Sequence, residues 1–238
     1  MRESRVPWNS QFVPCGISGT EFTEYAAHSP MRKHTKLSCK DVIPINAARM
    51  FRNPAPVLLT NTVSSLIESA GRRVLEVGAG CLRNAIYLQR RGYAVTVLEV
   101  KGIELRFPEQ YDRFKRSGGK VLYEIPNDRF DWALSTFVVE TICDVRTRTA
   151  LVRAIRMQLC MDGFCVFSVR GPKDLVTATA EGIPVSDGYL TPGRSFARSY
   201  TRSQFERMLH TCSFDKLTFL HRERVKAPEY LHVVASFH

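Results

Sequence analysis

An acid, two glycines and a second acid form the pattern with the clearest chemistry in this chain. Residues 74–100 read VLEVGAGCLRNAIYLQRRGYAVTVLEV, in which Glu76 precedes Gly78 and Gly80, and Glu99 closes a second apolar run. Glycine lets a loop come close to a ligand because it has no Cβ. Glu99 lies 21 residues after Gly78, the spacing at which a carboxylate reaches a ribose diol. The pattern therefore indicates a nucleoside-binding unit.

The elements that must position these residues are a strand, a helix and a second strand. The apolar run at 74–77 predicts the first strand, and residues 83–91 predict a helix with Gly92 as its C-cap. A second strand follows and ends at Glu99. Each acid then lies at or near the carboxyl end of a strand, where an open α/β sheet binds its ligands.

Two common phosphate-binding motifs are excluded. A dinucleotide loop of the form G-x-G-x-x-G requires glycine at position 83, where this chain has Arg83. A P-loop requires Gly-Lys-Ser or Gly-Lys-Thr, and neither occurs in the sequence.

The acid two residues before G-A-G, followed by Arg-Asn at 83–84, resembles motif I of the class I S-adenosylmethionine-dependent methyltransferases. The resemblance implies that the cofactor is S-adenosyl-L-methionine, with the glycine loop under its methionine part and the second acid on its ribose. Leu82 departs from the family pattern, which often has a third glycine there. The cofactor-binding residues expected from the motif and from the strand ends are Glu76, Gly78, Ala79, Gly80, Glu99, Ser135 and Phe137.

Alternating strands and helices continue beyond this unit. This alternation predicts an α/β fold with a doubly wound, mostly parallel, Rossmann-like sheet. The last two apolar runs fit the C-terminal antiparallel hairpin that closes the seven-stranded sheet in class I methyltransferases. The predicted elements are a helix at 108–116, strands at 121–123 and 130–135, a helix at 147–159, a turn at Asp162-Gly163, and strands at 164–169, 217–220 and 230–237.

The chain divides into two parts. Residues 1–53 are irregular and carry scattered aromatic residues, which predicts an N-terminal cap or lid segment, and residues 54–238 are expected to form the methyltransferase domain. That domain begins with a helix whose inward face holds Leu59, Val63, Leu66 and Ile67. Residues 171–200 show no period and are interpreted as a long irregular insert.

Length and composition fit a single globular domain in the cytoplasm. The chain has 238 residues, of which 44% are hydrophobic, and no apolar run approaches the roughly 18 residues of a membrane helix. The N-terminal MRESRVPWNS has no apolar signal core, so we expect no export and no membrane partner. The seven cysteines are odd in number and lack a C-x-x-C pair, which predicts reduced thiols and no metal site.

The net charge of +11 has two explanations at this stage. It can reflect a solvated basic surface, or it can attract an anionic partner such as a nucleic acid or a charged substrate. The segment after the fourth strand, Ser135 to Glu140, lacks the Pro-Pro motif of enzymes that methylate exocyclic amines of DNA bases. It is similar to small-molecule members of the class.

No catalytic residue stands out, because direct methyl transfer depends mainly on alignment and desolvation. Glu140 is a candidate base or an ordinary helix-start acid, and His210 and His221 are candidates at the edge of the site. We therefore expect a methyltransferase acting on a small or medium-sized acceptor that can be anionic. The alternatives are methylation of RNA or another nucleic acid, or a non-catalytic module that binds the cofactor. The acceptor itself is not identified.

Overall fold

A computed structural model describes residues 38–44, 48, 50, 53–175, 181–220 and 229–237. Its strands, in chain order, are β1 (Arg73–Val77), β2 (Ala94–Leu98), β3 (Lys120–Leu122), β4 (Phe130–Thr136), β5 (Leu159–Arg170), β6 (Ile183–Val185), β7 (Gly188–Leu190), β8 (Phe196–Ala197), β9 (Lys216–Phe219) and β10 (Tyr230–Ser236). Its α-helices are α1 (Asn61–Ser69), α2 (Arg83–Arg90), α3 (Pro108–Arg116), α4 (Val145–Met157) and α5 (Arg202–Thr211).

Seven strands form the main sheet in the order β3-β2-β1-β4-β5-β10-β9. β1 to β5 are parallel to one another, whereas β10 runs antiparallel to both β5 and β9. The direction of winding changes between β1 and β4, so the loops after these two strands diverge and leave a crevice at their carboxyl ends. The predicted Rossmann-like sheet with its C-terminal antiparallel hairpin is confirmed.

Helices cover both faces of this sheet, which is why its central strands are apolar on both sides. On one face α1, α2 and α3 contribute buried residues such as Val63, Leu88 and Phe114. On the other face α4 and α5 contribute Leu151 and Phe205, which belong to a second core cluster. The sheet is therefore held rigidly between two apolar layers, and its loops can carry the site.

Most predicted boundaries lie within two residues of the observed ones, but two expectations are wrong. β5 begins at Leu159 rather than at 164, because Leu159 pairs with Phe130. The register then shifts so that Trp132 pairs with Phe164, and the predicted Asp162-Gly163 turn lies in this irregular part of β5. Leu59 is 56% exposed rather than inward. The helix begins only after Thr60, whose side chain accepts a hydrogen bond from Val63 N and caps the start of α1.

The insert at 171–200 contains structure that its irregular sequence does not predict. β6, β7 and β8 form a separate antiparallel sheet of three strands. Its residues Leu190 and Phe196 pack in a third apolar cluster with Cys143, against Cys39 and Val42 from the N-terminal segment. The small sheet therefore holds part of that segment beside the main domain.

Cys39 and Cys143 form a disulfide across a sequence separation of 104 residues. The expectation that the cysteines are all reduced is therefore wrong for this pair. The spacing of the cysteines along the chain does not predict this disulfide, because the pairing depends on the packing of the small sheet. Most of the predicted N-terminal cap or lid, residues 1–53, lies outside the described residues. No helix in the described part of the chain is both long and apolar enough to cross a bilayer.

Candidate functional site

A cavity of about 540 Å³ opens at the carboxyl ends of β1, β2, β4 and β5. Its volume lies in the range of small-molecule and cofactor sites. The loop after β1 forms one end, and residues of β5 and β10 form the other. Pro44 and Ala48, from the predicted cap, also line it. Of the predicted cofactor residues, the cavity wall contains Gly78, Ala79, Gly80, Glu99 and Phe137.

Glycine occupies positions 78 and 80 of the loop for different structural reasons. Gly78 has φ +67°, and a Cβ there would lie 2.4 Å from Cγ2 of Val138, so the position requires glycine for packing. Gly80 has φ +55°, and a Cβ there would meet one described atom within 4 Å, Cβ of Ala48 at 3.6 Å. The space above Gly80 is therefore cavity, and a side chain at 80 would occupy room available to a ligand.

Leu82 stands where the family pattern often has a third glycine, and it adopts a backbone conformation that glycine favours. Its φ of +62° lies in the left-handed region, and its side chain is fully buried at the start of α2. A non-glycine residue in this conformation costs roughly 1–2 kcal/mol. The burial of the Leu82 side chain offsets this cost.

Glu99 joins the end of β2 to the glycine loop. Its Oε1 accepts a hydrogen bond from Gly80 N at 2.5 Å, and its Oε2 accepts one from Val100 N at 2.9 Å. Each carboxylate oxygen has a second lone pair, so the group can still accept ligand hydroxyls. Burial raises the pKa of Glu99 to about 7, although both backbone hydrogen bonds favour the charged form. Glu99 is thus a buried acceptor at the cavity wall.

Glu76 lies behind the wall rather than on it. Its Oε1 accepts a hydrogen bond from Nδ2 of Asn84 at 3.0 Å, and the same amide nitrogen lies 3.2 Å from Oγ1 of Thr136. Oε2 of Glu76 has no hydrogen-bond partner among the described residues. Burial raises the pKa of Glu76 to about 7, although the hydrogen bond from Asn84 favours the charged form of the carboxyl group. Asn84 lines the cavity, so Glu76 is connected to the wall through Asn84.

At the end of β4, Ser135 lies away from the cavity although the next two residues line it. Thr136 and Phe137 line the cavity, whereas Ser135 is fully buried and is not part of the wall. Successive strand residues point to opposite faces of a sheet. Ser135 therefore points away from the face that carries Thr136 and Asn84, and its role in cofactor binding stays a prediction.

The far end of the cavity contains residues that the sequence interpretation missed. Tyr230 and His232 line it from β10, beside Arg170 and Asp174. Arg83 also lines the cavity from α2, and burial lowers its pKa. The alternation of polar and apolar residues in β10 indicates that Tyr230 and His232 share one face of the strand. It does not indicate which strand lies next to β10, so it could not place these residues at the cavity.

Two further candidates, Glu140 and His210, do not line this wall. Glu140 is fully buried, its Oε1 lies 4.0 Å from Nε of Arg170, and burial raises its pKa to about 7. It is absent from the cavity wall, so it supports Arg170 from behind. His210 is exposed on α5 and bonds the carbonyl oxygen of Phe214. His221 lies outside the described residues.

Comparison with known proteins identifies the fold. No protein-family model matches the chain, and no curated protein matches it. Among solved structures, an S-adenosylmethionine-dependent methyltransferase from Clostridium acetobutylicum is 12% identical, with a TM-score of 0.55 over 74% of this chain and 89% of the other. The CcbJ methyltransferase from Streptomyces caelestis is 16% identical, with a TM-score of 0.54 over 72% of this chain and 86% of the other.

A third similar structure contains ligands. It is a 1,6-didemethyltoxoflavin-N1-methyltransferase from Burkholderia thailandensis with S-adenosylhomocysteine and its acceptor bound. It is 20% identical to this chain, with a TM-score of 0.54 over 72% of each chain. At these identities the likeness concerns architecture. The chain has the fold of the class I S-adenosylmethionine-dependent methyltransferases, as the sequence resemblance implied.

Proposed function

We propose that this protein is an S-adenosylmethionine-dependent methyltransferase that acts on a small or medium-sized acceptor. The observation that carries the proposal is the junction between Glu99 and Gly80. A buried carboxylate at the end of β2 holds a left-handed glycine loop at the end of β1, and both border an open cavity. This places a hydroxyl-accepting group beside a loop that a ligand can approach closely.

The residues present fit this cofactor. Glu99 retains acceptor capacity for the two ribose hydroxyls, and the space above Gly80 accommodates ligand atoms. Arg83 supplies a guanidinium for the methionine carboxylate, and Phe137 covers the loop from the end of β4. Glu76 holds Asn84, which in turn fixes the helix that follows the loop.

S-adenosylmethionine, when bound, supplies an electrophilic methyl group on a sulfonium. The chain's own contribution is to align an acceptor against this group and to exclude water, which can account for several powers of ten in rate. The buried apolar residues behind the cavity favour such exclusion. A base is needed only where the acceptor atom carries a proton.

Three features support a small or medium-sized acceptor over a nucleic acid. The cavity has a volume of about 540 Å³, and its wall combines strand-end residues of the main sheet with Pro44 and Ala48 of the N-terminal segment. The segment from Ser135 to Glu140 lacks the motifs of DNA-base methyltransferases. Solved structures of the same fold include the Burkholderia enzyme with bound 1,6-didemethyltoxoflavin and a glycopeptide N-methyltransferase. We therefore assign the charge of +11 to the solvated surface.

Calorimetric titration with S-adenosylmethionine, S-adenosylhomocysteine, NAD and ATP tests the cofactor assignment. We expect binding of the first two and none of the last two. Tight NAD binding with no response to S-adenosylhomocysteine would refute it. Formation of S-adenosylhomocysteine with a small acceptor would then separate an enzyme from a non-catalytic module, and incorporation of labelled methyl groups into RNA would favour the nucleic-acid alternative.

A further inference from the structure

The end of the cavity opposite the glycine loop has its own chemistry. Phe137 projects from the end of β4, Tyr230 and His232 from β10, and Arg170 from β5. Arg170, Tyr230 and His232 are not among the residues proposed to hold the cofactor, and Phe137 lies between the two ends. We call this region the acceptor end, and it consists of Phe137, Arg170, Asp174, Tyr230 and His232.

Two aromatic rings form the apolar part of the acceptor end. The rings of Phe137 and Tyr230 are in edge-to-face contact, with centroids 5.2 Å apart and planes at 72°. Phe137 has φ +58°, a conformation that few non-glycine residues adopt, and its N–H donates to Ser168 O at 2.8 Å. The backbone therefore fixes the direction in which this side chain leaves the chain, and the contact with Tyr230 positions its ring. A pair of fixed, half-buried rings favours a flat aromatic ligand.

The charged groups at the acceptor end neutralise one another. Nη1 of Arg170 lies 2.6 Å from Oδ2 of Asp174, and Nε of Arg170 lies 4.0 Å from Oε1 of Glu140. The hydroxyl of Tyr230 lies 3.5 Å from the other oxygen of Asp174. Because the guanidinium is already matched by carboxyl groups, this end favours an acceptor that enters without a full negative charge.

His232 is the histidine that lines the cavity in the described part of the chain. It lies opposite Ser168 in the pairing of β10 with β5, as Tyr230 lies opposite Arg170. Its Nδ1 is 2.8 Å from Oγ of Ser168, which is fully buried. This hydrogen bond to a buried serine orients the ring, and an imidazole is the side chain best suited to take up a proton near neutral pH.

We propose that the acceptor is a small planar aromatic compound with a hydroxyl group, and that His232 accepts the proton of that hydroxyl. The inference rests on the proposed methyltransferase function. The acceptor oxygen forms the new carbon–oxygen bond, and the carbon–sulfur bond breaks with its electron pair going to sulfur. The oxygen–hydrogen bond breaks with its pair going to oxygen, and the proton passes to Nε2 of His232 and then to solvent. This requires the tautomer in which Nδ1–H donates to Ser168.

A pair of phenols of different acidity tests the role of His232. At about pH 8 phenol is mostly protonated and needs a base, whereas 4-nitrophenol is already mostly ionised and does not. We expect His232→Gln to lower kcat/KM for phenol by about 100-fold or more, and that for 4-nitrophenol by less than about threefold. His210→Gln, at the exposed histidine on α5, is the matched control and should change neither rate. Equal losses with both phenols would show a structural role and overturn the proposal.

Two further measurements keep the outcomes distinct. The affinity for S-adenosylhomocysteine is measured first, and His232→Gln should leave it within about twofold of the wild type. If S-adenosylhomocysteine does not bind the wild type, the proposed function itself fails. If it binds but neither phenol is methylated, the acceptor class is wrong and the methyltransferase assignment stands. Nitrogen NMR of the wild type should show His232 protonated at Nδ1, and the opposite tautomer would overturn its role as base even if the variant does not fold.

Discussion

Replacement of Glu99 by alanine should weaken S-adenosylhomocysteine binding by ten- to several-hundredfold. A hydrogen bond to a charged group contributes about 1.5–3 kcal/mol at most, and two ribose hydroxyls can reach one carboxylate. Both carboxylate oxygens already accept hydrogen bonds from backbone N–H groups, at 2.5 Å and 2.9 Å. The ligand hydroxyls must share these oxygens, so the two ribose hydrogen bonds together contribute less binding free energy than two independent ones. A total of about 1.5–3.5 kcal/mol corresponds to the stated loss of affinity.

The same substitution should change the stability of the free protein much less. It frees the N–H groups of Gly80 and Val100, which border the cavity and can bond water instead, at a cost of about 0.5–1.5 kcal/mol each. It also removes a buried carboxyl whose pKa is raised from 4.5 to about 7. Above that pKa the ionised group destabilises the fold by about 3 kcal/mol, so the two effects oppose each other. At about pH 8 the free energy of unfolding should change by less than about 2 kcal/mol.

Calorimetry with S-adenosylhomocysteine and urea denaturation of the free protein measure both quantities on one variant. Glu109→Ala, which removes an exposed acid from the first turn of α3, is the control for the loss of charge. An affinity within about twofold of the wild type would refute the role of Glu99 as ribose anchor. At about pH 5.5 the folded carboxyl is mostly protonated but the unfolded one, with its pKa of 4.5, is still mostly ionised, so the opposing term falls by roughly half. Glu99→Ala should then be more destabilised relative to the wild type than at about pH 8, by about 1–2 kcal/mol.

Three other outcomes are expected. Gly80→Val should abolish S-adenosylhomocysteine binding while costing the free protein only about 1–2 kcal/mol for a branched residue at positive φ; normal calorimetric binding would mean that the ligand does not use this loop. The affinity of the wild type should rise by up to about tenfold between about pH 6 and pH 8, because the ligand hydroxyls prefer the ionised form of Glu99, whose pKa is about 7; a flat or falling calorimetric profile would contradict this. Reduction of the Cys39–Cys143 bond, or Cys39→Ser, should lower stability by up to about 4–5 kcal/mol, because the bond closes a loop of about 100 residues; identical melting with and without reductant would show that the bond does not form.

Local patterns were sufficient to predict the fold and one end of the site. The alternation of apolar strands with amphipathic helices depends on periodicity within each segment, and α3 lies at the predicted 108–116. The glycine loop and Glu99 are equally local, because the loop conformation and the end of β2 depend on neighbouring residues. These features could therefore be read before any contact between distant segments was known.

The other end of the cavity was decided by tertiary structure alone. Tyr230 and His232 reach it because β10 inserts between β5 and β9, and no local pattern states which strand will be the neighbour of β10. The choice between Ser135 and Thr136 depends on which face of β4 receives α2, since a strand alone defines two equivalent faces. The pairing of Cys39 with Cys143 likewise depends on the small sheet, whose apolar residues pack with both cysteines.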